Sequence, residues 1–185
     1  MCSHPEAPPP FTNVLETVYI DEGKTLLRVD ERHEGEFVIS DGTEIIGRRA
    51  LNGCYALTSV IIPDSVTNIM QFAFSTCYSL TNVVFGSGVR TIGARSFSGT
   101  QSLTSIDLPD SVETVGEGAF MTVPPKKIRV GNALRTVGPY AFGSISTLGA
   151  NSLDRFVTIS PSNKWIRIED IQIAPLKLDQ NNHEN

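Results

Sequence analysis

Leu57-Thr-Ser-Val-Ile-Ile-Pro-Asp-Ser-Val-Thr-Asn-Ile69 is followed by two near copies of itself, Leu80-Thr-Asn-Val-Val-Phe-Gly-Ser-Gly-Val-Arg-Thr-Ile92 and Leu103-Thr-Ser-Ile-Asp-Leu-Pro-Asp-Ser-Val-Glu-Thr-Val115. Leu57, Leu80 and Leu103 are each 23 residues apart. Leu51, Phe74, Phe97 and Phe120 keep the same step, and Phe142 follows after 22. A fixed period of this length is the mark of a stacked-repeat solenoid, in which no repeat can bury its apolar side alone.

Within the unit, apolar residues fall into columns. Phe37, Val60, Val83, Ile106 and Ile128 form one. Ile39, Ile62, Phe85, Leu108 and Val130 form another two residues on. A spacing of two puts both columns on the same face of a strand. Ser40, Pro63, Gly86, Pro109 and Gly131 come next, residues that end a strand and turn the chain. A second pair of columns follows, Thr43, Val66, Val89, Val112 and Leu134, then Ile46, Ile69, Ile92, Val115 and Val137. Gly47, Gly93, Gly116 and Gly138 succeed the last of these, with Met70 the exception, and suit a bend or a close backbone approach. Each unit closes on a small residue and a large one, as in Ala73-Phe74, and this segment is expected to be one helical turn.

The expected coil is therefore strand, corner, short extended run, helical turn and loop. Coils stacked at the strand spacing of about 4.8 Å turn each column into a ladder. Five coils then give a core about 20–25 Å long.

The strings Leu57 to Ile69 and Leu103 to Phe120 resemble the 23-residue leucine-rich repeats of the BspA type, found in bacterial and protist surface proteins. The resemblance covers residues 35–145 in register. It departs in the fifth copy, where Val123-Pro-Pro-Lys-Lys loses one residue and Pro125 replaces the leading leucine. It implies a leucine-rich-repeat solenoid, mostly β with short helical turns, serving as a non-catalytic binding or adhesion scaffold for a protein partner, a host or matrix protein among the candidates. It carries over no site residues, because the motif is structural.

The flanks do not repeat. Residues 1–10 hold four prolines and are expected to be disordered. Residues 11–34 are expected to form an N-terminal cap, with a hairpin turning at Asp21-Glu-Gly-Lys and shielding the first coil's strand edge. Residues 146–178, with strand patterns at 153–159 and 165–173, are assigned to a C-terminal strand cap, and 179–185 to a disordered tail.

Composition narrows the function. The net charge is −5, and no basic run exceeds two residues, which argues against nucleic acid as partner. No apolar run is long enough to span a bilayer, so no membrane insertion is expected. The N-terminus lacks a basic, apolar secretory leader and the chain has no Asn-X-Ser/Thr sequon, which points to the cytosol or to a fragment. The resemblance points to the cell surface, so compartment stays open.

No catalytic constellation, cofactor motif or metal site is expected. Cys54 and Cys77 occupy one position in neighbouring coils. They read as buried thiols stacked above Thr100, with a disulfide as the alternative that the ladder spacing permits. Neither lies in a Cys-X-X-Cys motif or near a histidine in register, which disfavours zinc. His33 reads as a solvated loop residue. Adjacent acids such as Asp30-Glu31 point to opposite sides of an extended chain and read as turns.

The remaining candidate is a surface. Outward positions of the first strand are Val38, Ile61, Val84, Asp107 and Arg129, flanked by Glu36, Ser59, Asn82, Ser105 and Lys127. Three successive apolar residues facing out form a stripe of the kind that marks contact sites, unless they merely favour strands or lie under the hairpin. Asp107 with Arg129, and Arg90 with Glu113 and Arg135, are expected as cross-coil neighbours. The alternative to a binding face is a spacer segment of a larger surface protein, with no specific site here.

Overall fold

In the computed structural model the described residues are 16–123, 127–131 and 133–142. The expected disordered ends, the C-terminal cap and the start of the N-terminal cap lie outside them. Among the described residues there are twelve strands: β1 Thr17–Ile20, β2 Thr25–Val29, β3 Gly35–Val38, β4 Ile45–Ile46, β5 Leu57–Ile61, β6 Asn68–Ile69, β7 Asn82–Val84, β8 Thr91–Ile92, β9 Ser105–Asp107, β10 Thr114–Val115, β11 Lys127–Arg129 and β12 Thr136–Val137. From β3 onward they come in pairs, one pair per coil, giving five coils of a β-solenoid.

The first strand of each coil stacks in parallel on the next, as β3-β5-β7 and then β9-β11. The five second runs, together with β1 and β2, form a seven-stranded sheet in the order β1-β2-β4-β6-β8-β10-β12. Its register places Ile46, Ile69, Ile92, Val115 and Val137 side by side, as the columns require.

The ladders form because the columns leave no other way to bury them. Val60, Ile106, Val66, Val89, Val112, Ile46, Ile69, Ile92 and Val115 are all buried in one core. Phe74, Phe97, Phe120 and Phe142 stack ring on ring at 4.8, 5.1 and 5.7 Å between centroids, with planes within 8° of parallel. Gly93 is required by close approach: a Cβ there would stand 2.7 Å from the Ile69 carbonyl oxygen of the coil before. Met70, the exception in that column, turns its side chain to solvent.

The first-strand ladder is interrupted between β7 and β9, which contact each other but share no strand pairing. The break falls at the bulkiest residue of its column. Phe85 replaces Ile, Leu or Val there, is only half-buried, and sets its ring edge-on to Phe97 at 5.7 Å.

The third side of each coil differs from expectation. Among the described residues no helix occurs, and the expected helical turn is a chain of tight turns. Main-chain N–H groups alternate in destination. Ala73 donates back to Met70, whereas Phe72, Phe74 and Thr76 donate across to Ala94, Ser96 and Ser98 of the next coil. This makes a third hydrogen-bonded ladder. It is held by left-handed residues at recurring places: Arg49, Phe72, Arg95, Gly118 and Tyr140 at one, and Gly53, Thr76, Gly99 and Thr122 at the other. Non-glycine residues rarely adopt that conformation, so the cross-coil bonds must hold them in it.

The hairpin lies on one of the first coil's two strand edges, that of its second run. β1 pairs antiparallel with β2, and β2 pairs in parallel with β4, so it extends the seven-stranded sheet. β3 remains the edge strand of its own sheet. Its end is guarded by side chains. The Ser40 N–H donates to the Tyr19 hydroxyl at 3.2 Å, and His33 packs edge-on against Phe37 at 5.1 Å with Nε2 3.0 Å from the Glu36 carbonyl oxygen. His33 is thus half-buried at the foot of the Phe37 column instead of lying free in a loop.

Candidate protein-binding face

The parallel pairing of β3, β5 and β7 sets Val38, Ile61 and Val84 side by side on the outer face, and Glu36, Ser59 and Asn82 beside them. Pairing of β9 with β11 does the same for Asp107 with Arg129, and its register sets Lys127 opposite Ser105 along the backbone. The break between β7 and β9 divides these two groups. Val38 and Val84 are 57% and 48% exposed, and Ile61 is half-buried between them. The hairpin does not cover the stripe, since it extends the other sheet.

Beside the stripe lies an open depression of about 520 Å³ bounded by Asp41, Ile61, Pro63, Asp64, Val84 and Phe85. Its rim is built by the corners. The Ser87 N–H and hydroxyl both donate to Asp64 Oδ1, at 2.6 and 3.0 Å, which holds that carboxyl below its ordinary range. Ser65 bridges two coils, donating to the Thr43 carbonyl and accepting from the Gly42 N–H. An apolar strip is thereby framed by corners that hydrogen bonds tie from coil to coil.

Charged side chains elsewhere pair across rungs as expected. Arg129 reaches Asp107, and Arg90 lies 2.9 Å from Glu113. Arg95 with Glu117 and Lys24 with Glu44 add two pairs that the sequence reading missed. All but Arg129, whose side chain is mostly covered, are well exposed, and such pairs are worth little individually, though each favours one register. Nearer the cap, Arg32 clasps Asp30 with two guanidinium bonds at 2.6 and 2.9 Å and one from its own N–H. These bonds hold the Asp30 carboxyl well below the usual carboxylate range.

Cys54 and Cys77 are free, buried thiols in one column with buried Thr100. Burial pushes the Cys54 thiol up to about 11 and raises that of Cys77 as well. Cys77 Sγ lies 3.1 Å from the Leu51 carbonyl oxygen. Protonated, enclosed sulfurs of this kind are chemically inert. Among the described residues no cluster of three or more His, Cys, Asp or Glu is placed to hold a metal ion. Nor does any helix there have the length and apolar character to cross a membrane.

The residues directly after those cysteines escaped the sequence reading. Tyr55 and Tyr78 are 54% and 45% exposed, with rings stacked at 5.4 Å and 17° between planes. The signal was present: the same aromatic residue recurs 23 positions on.

Residues 34–154 match the family model for a BspA type leucine rich repeat region of 6 copies, more than half of the chain. The chain belongs to the BspA-type leucine-rich repeat family. Among solved structures, this BspA-type chain is similar to a leucine rich cell surface protein from Faecalibacterium prausnitzii A2-165. The two are 26% identical with a TM-score of 0.59, over 74% of this chain and 40% of that one. It also shares its fold with the pneumococcal vaccine antigen PcpA, at 15% identity and a TM-score of 0.62, over 72% of this chain and 37% of that one. The chain thus spans less than half the length of either relative. No curated protein matches it. Leucine-rich repeats generally serve as protein-interaction scaffolds, and solenoids present the broad side faces that such binding uses.

Proposed function

We propose that the chain is a non-catalytic interaction or adhesion scaffold that binds a protein partner through the outer face of its first-strand ladder. The stripe of Val38, Ile61 and Val84 carries the reading: three apolar side chains in register, two of them about half exposed, beside an open depression. Contiguous exposed apolar surface with a polar frame is the usual composition of a contact site. Asn82 bonds to Ser59 at 3.2 Å and Arg129 to Asp107, so the flanking polar groups are preorganised. Ser105 and Lys127 extend the same face by register.

The test substitutes the stripe. Ile61→Lys and Val84→Glu each abolish capture of proteins that the unaltered chain retains from host matrix or native lysate, and leave the thermal midpoint nearly unchanged. Capture that survives both changes refutes the reading, and so does a collapse of the midpoint, which would make the stripe part of the core.

A second reading is a structural spacer within a longer surface protein. It is favoured by the chain spanning only 40% of its surface-protein relative. It predicts no capture above background by the unaltered chain.

A further inference from the structure

We propose that Tyr55 and Tyr78 form an oxidative cross-linking site, at which a peroxide-driven peroxidase joins the two rings into a dityrosine that staples adjacent coils together. The argument is one of placement. Both side chains leave the same point of successive coils, and the Ser79 N–H donates to the Tyr55 carbonyl at 3.3 Å, tying the two backbones directly. The rings lie stacked at 5.4 Å, within the range of direct aromatic contact, yet about half of each residue faces solvent. An oxidant therefore reaches both phenols, while the solenoid keeps each ring as the other's nearest radical partner.

Selectivity follows from the rest of the molecule. The chain has four tyrosines. Tyr19 uses its hydroxyl to cap Ser40, and neither it nor Tyr140 has a tyrosine ring against it among the described residues. The thiols next in sequence, which would otherwise consume peroxide, are buried and protonated.

In the reaction each phenol gives one electron and one proton to the peroxidase. The two phenoxyl radicals couple by one new carbon–carbon bond between positions ortho to the oxygens. The hydrogens at those carbons leave as protons, the oxygens are reprotonated, and both rings regain aromaticity. Hydrogen peroxide accepts the two electrons and two protons and becomes two waters, so the chain loses two hydrogen atoms. Because each coil is held only by its neighbours, a bond across one rung opposes separation at that interface. It also restricts the unfolded chain.

Dilute protein treated with haem peroxidase and limiting hydrogen peroxide tests the proposal. Expected are dityrosine fluorescence in a product of monomer size, an intact mass lower by two hydrogens, and a proteolytic fragment containing Tyr55 joined to one containing Tyr78. The yield is independent of protein concentration, and the thermal midpoint rises. Tyr55→Phe and Tyr78→Phe keep the ring, and with it the fold by circular dichroism, but each loses this product. The proposal is overturned if no dityrosine forms, if the linkage maps to Tyr19 or Tyr140, if it occurs only between chains, or if it persists in either variant.

Discussion

Removing the ring of Phe97 tests the solenoid core at its centre. Phe97 is fully buried, stacked at 4.8 Å on Phe74 and 5.1 Å on Phe120, with Phe85 edge-on at 5.7 Å. A buried Phe→Ala change costs about 3–5 kcal/mol, more where the site cannot collapse. Collapse is blocked here. The coils above and below are pinned by main-chain bonds of 2.7 Å from Phe74 to Ser96 and 2.7 Å from Phe97 to Ala119. The Phe97→Ala loss should therefore be at the upper end, about 4–5 kcal/mol, against a total of about 5–15 kcal/mol for an ordinary domain. Phe97→Leu should cost only about 1–2 kcal/mol, because Leu51 already fills the first rung of this column. Urea unfolding followed by circular dichroism reads both, as shifts in midpoint at unchanged slope. A loss below about 2 kcal/mol for the alanine variant, or equal losses for alanine and leucine, would refute a close-packed ring column.

Two further predictions concern polar groups. Ser96 stands in a column otherwise occupied by Ala50, Ala73, Ala119 and Ala141, and its Oγ is buried with no hydrogen-bond partner. Ser96→Ala should stabilise the chain by about 1–2 kcal/mol, seen as a higher urea midpoint, and a destabilised variant would mean that the hydroxyl is satisfied. The Asp30 carboxyl is held low by Arg32, so its stabilising effect is present above the unfolded carboxyl value of about 4 and fades as pH falls below that. Asp30→Asn should lower the thermal midpoint at neutral pH and flatten its decline below about pH 4. Parallel acid limbs for both proteins would sink the assignment.

Much of the fold was legible because a parallel solenoid converts period into position. Once Phe74, Phe97 and Phe120 share a 23-residue step, stacking coils one strand apart leaves their rings nowhere else to go. The same logic delivered the Arg90–Glu113 and Asp107–Arg129 pairs. It failed at the closing turn. Arg49, Phe72 and Arg95 carry no side-chain signal for a left-handed backbone, and that conformation exists only because neighbouring coils supply the cross-coil bonds. The candidate face was legible as a list of outward residues, but its exposure was not.

The repeat alone determined the columns, the corners and the order of residues along each ladder, since these depend on chain spacing and strand geometry. Tertiary structure decided which surfaces stay open. The hairpin docks on β4 and leaves Val38 uncovered, and the bulk of Phe85 coincides with the break in the first-strand ladder. Those outcomes depend on contacts between segments far apart in sequence and on side-chain volume in three dimensions, neither of which a period encodes.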